Sequence, residues 1–170
     1  MKFIVRKMTL QVVPGVIELD QKSFSLPRPE RSFRFELTAN PASRCWVAEL
    51  DGNIVGMIVV WLIVDEAHVA TMATHPNFRR RGIAKKLLSH ALRHLIDDGA
   101  RSSFLEVRES NHAAQEMYRK FGYEASGRRP RYYKDNDEDA ILMNLASLEA
   151  EHLIFDDEPS TLDKEEQNER

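Results

Sequence analysis

A run of ten residues, His75-Pro76-Asn77-Phe78-Arg79-Arg80-Arg81-Gly82-Ile83-Ala84, constrains the fold most. An apolar β-like stretch, Val69 to Thr74, precedes it. A strongly amphipathic helix follows, with Ile83, Ala84, Leu87, Leu88, Ala91, Leu92, Leu95 and Ile96 on one stripe. Lys85, Lys86, His90, Arg93, Asp97 and Asp98 fall outside that stripe, and Gly99 supplies a left-handed stop. A strand that turns through glycine into a helix aims unpaired N–H groups and the positive end of the helix dipole at one spot. Such a turn holds an anion, above all a phosphate. It is not the phosphate loop of nucleotide hydrolases, because no Gly-Lys-Ser/Thr follows, and it lacks the three glycines of a dinucleotide fingerprint.

The rest of the chain reads as strands and helices around that unit. Phe3 to Met8 is a first strand, and Thr9 an N-cap for a helix carrying Pro14 and apolar Val12, Val13, Val16, Ile17 and Leu19. Ser25-Leu26-Pro27-Arg28-Pro29 breaks the pattern before a second helix, Glu30 to Leu37. Cys45 to Leu50, the turn Asp51-Gly52-Asn53 and the β-branched run Ile54 to Val64 form a hairpin, and Ala67 to Thr74 a further strand. Beyond Gly99 come a strand at Ser103 to Val107 and a helix from His112 to Phe121, capped by Ser110-Asn111 and stopped by Gly122. Ala114, Met117, Tyr118 and Phe121 form its buried side. Tyr123 to Ala125 and Ile141 to Leu145 are the last two strands, with Arg128 to Asp139 joining them. The order β-α-α-β-β-β-α-β-α-β-β predicts an α/β (α+β) fold: one domain, a mixed, mostly antiparallel sheet of six to seven strands, and about four flanking helices.

Charge and composition narrow the function. Residues 147–170 hold nine acidic and two basic residues, so the other 146 are net positive in a chain of net charge −3. A mildly basic body suits a phosphorylated cofactor, but no nucleic-acid motif appears and no binding to nucleic acid is expected. With 42% hydrophobic residues there is material for one core, assigned to residues 1–146, with 147–170 as an acidic, disordered tail. No apolar run is long enough to cross a membrane, and Met1 to Lys7 is too short and charged for a secretory signal. Cys45 is the single cysteine; it rules out an intrachain disulfide, suits a reducing cytoplasm, and reads as a small buried hydrophobe beside Trp46 rather than a nucleophile. His90 and His94, at i, i+4, read as a solvated helix face, and no metal site is expected.

Four motifs in order carry a resemblance. Arg79-x-x-Gly82-x-Ala84 resembles the acyl-CoA pyrophosphate loop of GNAT N-acetyltransferases. Leu105-Glu106-Val107-Arg108-Glu109-Ser110-Asn111, Met117-Tyr118-Arg119-Lys120-Phe121-Gly122-Tyr123 and Arg131-Tyr132-Tyr133 with Glu138 to Met143 resemble the ribosomal-protein-alanine N-acetyltransferases and the archaeal N-terminal acetyltransferases. The resemblance covers about residues 3–146. It implies acetyl-CoA as cosubstrate, with Met72, Ala73 and Thr74 beside the pantetheine arm. The stretch Arg79, Arg80, Arg81, Gly82, Ile83, Ala84 and Lys85 then holds the pyrophosphate, and Asn111 bonds the cofactor at the next helix start. It also implies Glu106 as general base and Tyr118 as general acid. Leu26 and Arg28 stand where the family often has an aromatic-Pro-Trp motif, and with Arg131, Tyr132 and Tyr133 they line the acceptor site.

The chemistry agrees with those roles. Acyl transfer to nitrogen needs a neutral amine, and an α-amine with pKa about 8 loses its proton far more easily than lysine at about 10.4. An unshifted glutamate is a weak base, better acting through a water or with its pKa raised by burial. Strand alternation places Glu106 opposite Leu105 and so exposed; Asn111 and Tyr118 share a helix face. The expected activity is acetyl-CoA-dependent acetylation of a protein N-terminus by direct transfer in a ternary complex, the acceptor being the N-terminal alanine of a ribosomal protein. Lysine or small-amine acetylation on the same fold, and a non-catalytic acetyl-CoA-binding module, are the alternatives. A peptide or protein N-terminus is the expected partner, and the protein a monomer or weak dimer.

Overall fold

A computed structural model describes residues 2–153; the expectation of disorder for Asp156 to Arg170 lies outside them. The elements are β1 (Ile4–Lys7), α1 (Val13–Ser23), α2 (Glu30–Thr38), β2 (Ser43–Leu50), β3 (Asn53–Ile63) and β4 (Glu66–Thr74). Then come α3 (Ile83–Asp97), β5 (Ser102–Arg108), α4 (His112–Phe121), β6 (Glu124–Tyr133) and β7 (Glu138–Leu145). The seven strands form one sheet in the order β1-β2-β3-β4-β5-β7-β6, with β4 and β5 parallel and every other pair antiparallel. This is the mixed sheet and helix order expected from the sequence.

Strand alternation divides the core in two. Along β2, Trp46 and Ala48 point to the face covered by α3 and α4, where they meet Leu87, Leu88, Leu92, Leu95, Tyr118 and Phe121. Cys45 and Val47 point to the other face, against Val13, Val16 and Leu19 of α1 and Phe33 of α2. Cys45 is thus buried as expected, but it and Trp46 belong to opposite layers, as neighbours on a strand must. The α3 stripe is buried as the periodicity predicts, and each fully buried leucine contributes about 1.5–3 kcal/mol. Gly56 lets α3 approach β3: a Cβ there would lie 2.7 Å from Ile83 Cγ2 and 2.9 Å from Leu87 Cδ1.

Some local expectations fail for identifiable reasons. Thr9 does not cap with its hydroxyl; its carbonyl accepts from Val12 N at 3.1 Å, a 3-10 turn follows, and α1 starts only at Val13, with Pro14 in its first turn. His90 and His94 are not a solvated face but pack on Trp46, at 5.8 and 5.4 Å between ring centroids. An indole is wider than the apolar stripe of α3, so the residues flanking the stripe cover its edge. The segment Arg128 to Asp139 is largely strand rather than a joining loop. β6 is an edge strand exposed along nearly its whole length, so it shows no apolar alternation, and an edge tolerates Pro130. Finally, the packed chain continues past residue 146. Leu148 and Leu153 are buried in the α3 layer, and the Leu153 carbonyl accepts from Ser89 Oγ at 2.9 Å and Arg93 Nη2 at 3.1 Å.

Candidate active site

The site begins with a gap in the sheet. β4 pairs with β5 only from Glu66↔Ser102 to Val69↔Leu105. Next to the last pair, Ala70 is skipped in the β3–β4 register, which passes from Val60↔Val69 to Val59↔Thr71. The bulge bends β4 away from β5. From there on the peptide groups of β4 that would face β5 have no strand beside them.

A cleft of about 860 Å³ opens at this gap. Met72, Ala73 and Thr74 form one side, and Asn111, Ala114, Met117 and Tyr118 of the α4 face form another. Ala114 and Met117 are only half-buried, because the cleft takes the place of a packing partner. Arg79, Arg80, Gly82, Ile83, Ala84 and Lys85 close the end. Arg80 and Gly82 take positive φ, 64° and 80°, which folds the turn tightly around the start of α3. The first intrahelical bond at this end, Lys86 N to Gly82 O, is 3.0 Å, so the amides of Ile83 and Ala84 point out of the helix end. Arg81 is not in the cleft wall; its guanidinium lies 5.3 Å over the Phe78 ring. Asn111 both lines the cleft and caps α4, its Oδ1 accepting from Ala114 N at 3.2 Å. An open strand edge leading to a positive, amide-rich helix end fits a linear amide chain that ends in a diphosphate.

Glu106 lies on the face of β5 opposite Leu105 and Val107, but it is not simply exposed. His68 Nε2 donates to its Oε2 at 2.9 Å, and the side chain is 13% exposed. The ring of His68 is held by stacking on Phe104 at 4.2 Å and by the edge of Trp61 at 5.4 Å. The bond from His68 holds the Glu106 carboxyl below its usual range; partial burial opposes this, and electrostatic attraction to His68 and to the Arg129 guanidinium adds to the lowering. Of the two routes to a working base, a raised pKa is therefore not the one present. Tyr118 is buried and its hydroxyl pushed well up by desolvation, with Tyr133 adding to the effect. Burial pushes Tyr133 up to about 12, with Glu106 among the neighbouring charges that add to it. Glu106 is thus held toward its ionised form and Tyr118 toward its protonated form.

Of the predicted acceptor residues, Leu26 and Arg28 lie in the α1–α2 loop and Arg131, Tyr132 and Tyr133 at the end of β6, and a Ser25 Oγ to Asp135 Oδ2 bond joins these two segments. Arg28 N donates to the buried Asp20 at 2.6 Å, while Leu26 is 62% exposed. Tyr132 and Tyr133 meet edge to face at 5.1 Å, and Arg131 N donates to Asp139 at 2.9 Å from a left-handed backbone, φ 51°. The sequence reading missed His68, whose contact with Glu106 spans 38 residues, and Arg108, whose guanidinium stacks 4.0 Å over Tyr133. Arg108 carried a readable signal, being two residues from Glu106 on the same strand face. His68 had none without the β4–β5 register.

A bulged β4 parting from a parallel β5 beside an anion-binding helix start matches a known class. Residues 13–123 match the Acetyltransferase (GNAT) family, and the chain belongs to it: it is an N-acetyltransferase that uses acetyl-CoA. Among its relatives is a Bacillus subtilis (strain 168) protein with the provisional name [ribosomal protein bS18]-alanine N-acetyltransferase. It is 38% identical over 142 residues, covering 84% of this chain and 94% of that one. The [ribosomal protein bS18]-alanine N-acetyltransferase of Escherichia coli (strain K12) is 32% identical over 127 residues, 74% and 78% of the two chains. The crystal structure of the ribosomal-protein-S18-alanine N-acetyltransferase from Escherichia coli superposes with a TM-score of 0.78 at 27% identity, over 91% of this chain and all of that one.

Proposed function

We propose that the protein acetylates the α-amine of a protein N-terminus, and that its acceptor is the N-terminal alanine of a ribosomal protein, the substrate class in its relatives' names. The observation that carries this reading is the Glu106–His68 bond, with Glu106 on β5 two residues before Arg108 of the cleft wall, and Tyr118 in the same wall. A carboxylate held ionised suits an amine that needs only modest help to lose its proton.

Acetyl-CoA supplies an acetyl group as a thioester. Met72, Ala73 and Thr74 hold its amide chain along the open edge of β4, and Arg79, Arg80 and the amides of Gly82 to Lys85 hold its diphosphate. Asn111 bonds the cofactor at the start of α4. Leu26, Arg28, Arg131, Tyr132 and Tyr133 hold the acceptor chain. As the new C–N bond forms, Glu106 accepts the amine proton through a water, and His68 keeps the carboxylate oriented. As the C–S bond breaks, Tyr118 gives its proton to the departing sulfur; burial keeps that phenol protonated until then. The reaction needs no covalent acetyl-enzyme. The protein works in the cytoplasm, as a monomer or weak dimer, and its catalytic unit includes the packed residues up to Leu153, with an acidic extension after it.

Thiol release from acetyl-CoA tests the reading, using short peptides that differ at residue one, each beside an Nα-blocked copy carrying a lysine. Turnover is expected only with a free α-amine, and fastest with alanine first. Turnover that survives the block would move the protein to the lysine acetyltransferases.

A further inference from the structure

The α1–α2 loop is tied down from two directions. On one side Asp20, fully buried, accepts the Arg28 N–H. On the other, Ser25 Oγ donates to Asp135 Oδ2 in the β6–β7 turn, 110 residues away. That same carboxylate oxygen accepts from Arg108 Nη2 at 2.9 Å. Arg108 also donates through Nη1 to Glu138 at 3.3 Å and Asn136 at 3.2 Å, and its plane covers Tyr133. Asp135 thus joins three segments at one point: the loop after α1, the β6–β7 turn, and the end of the strand that bears Glu106. Asp135 lies at the surface, and its carboxylate makes both bonds with one oxygen, each charge-assisted.

We infer that Asp135 is a clasp: by bonding Ser25 and Arg108 together it fixes the spacing between the two acceptor walls and their position relative to Glu106. The inference rests on the acceptor side proposed above. Asp135 is a positioning residue, since it touches neither reacting atom. Its loss leaves the base, the acid and the diphosphate end of the cofactor cleft in place but lets the walls drift apart, including Arg108 where it borders the cleft. The defect therefore falls on capture of the acceptor.

Asp135→Ala removes both bonds, Ser25→Ala only the link to the loop, and Asp135→Asn keeps the shape while weakening the charge-assisted bond. Asp135→Ala is expected to raise the acceptor KM about tenfold, as loss of a charge-assisted hydrogen bond does. Its kcat should stay within a few-fold and its acetyl-CoA Kd within about twofold of native. Ser25→Ala should shift the acceptor KM less, in the same direction, and Asp135→Asn should recover part of the loss. Amide hydrogen exchange provides a readout that needs no turnover. Residues 24–29 and 131–137 should both exchange faster in Asp135→Ala, with α3 unchanged. An unchanged acceptor KM, an equal loss of acetyl-CoA affinity, or unchanged exchange at residues 24–29 would overturn the clasp. If the native protein fails to acetylate α-amines, the proposed function falls, and exchange alone decides the clasp.

Discussion

The cofactor cleft and the acceptor side meet at the end of β5, yet they are built from different materials. The cleft is mostly backbone: an open strand edge, a turn at positive φ, and the first amides of α3. The acceptor side is mostly side chains: Glu106 with His68, Arg108 on Tyr133, and Asp135, Glu138 and Asp139 each holding an arginine or an amide. Backbone sites ask for a fold and little more, so many sequences make them. Side-chain sites depend on each residue, and on the proposed assignment Leu26 and Arg28 are among them. On that assignment, cofactor binding rests on the fold, while proton transfer and acceptor choice rest on individual side chains.

The contrast can be broken by substitutions confined to one half. Glu106→Gln should lower turnover by about 10² to 10⁴, the usual range for loss of a general base. Calorimetric titration should find acetyl-CoA affinity unchanged; a native rate would remove Glu106 as the base. The pH profile comes next in size. The folded-state pKa of Glu106 is lowered, so its ionised form persists as pH falls, and is lost only below the usual carboxylate range. The Glu106–His68 bond and its stabilisation are lost there too. The acid limb of kcat/KM above pH 5 therefore belongs to the acceptor amine, falling about tenfold per pH unit below about pH 8. Acceptors of different amine pKa should shift that limb by the same amount; a limb fixed at one pH for all acceptors would contradict this. The smallest effect is in the backbone half. Gly82→Ala meets no neighbouring atom within 4 Å, so it costs only the positive φ, about 1 kcal/mol of folding stability, and acetyl-CoA affinity falls by at most roughly fivefold, where the turn relaxes out of shape in the free protein. Equal weakening of the acceptor KM would show that the halves are not separable.

The same division governs what could be read from the sequence. The α3 stripe, the turn at Gly82, the Asn111 cap and the Gly122 stop are local patterns, and the structure has all of them. β6 escaped because an exposed edge strand has no buried face to impose a period-two pattern. The bulge at Ala70, which opens the cleft, leaves no mark in a run of small and β-branched residues. The depressed Glu106 pKa depends on His68, and the clasp on Ser25, each joined to its partner only by tertiary folding.

The most direct test locates the acetyl group on the product. A peptide with a free N-terminal alanine and an internal lysine would be incubated with acetyl-CoA and the native protein, then fragmented by mass spectrometry. Acetyl on the α-nitrogen, with the lysine unmodified, is the predicted result. Acetyl on the lysine, with the α-amine free, would contradict the account.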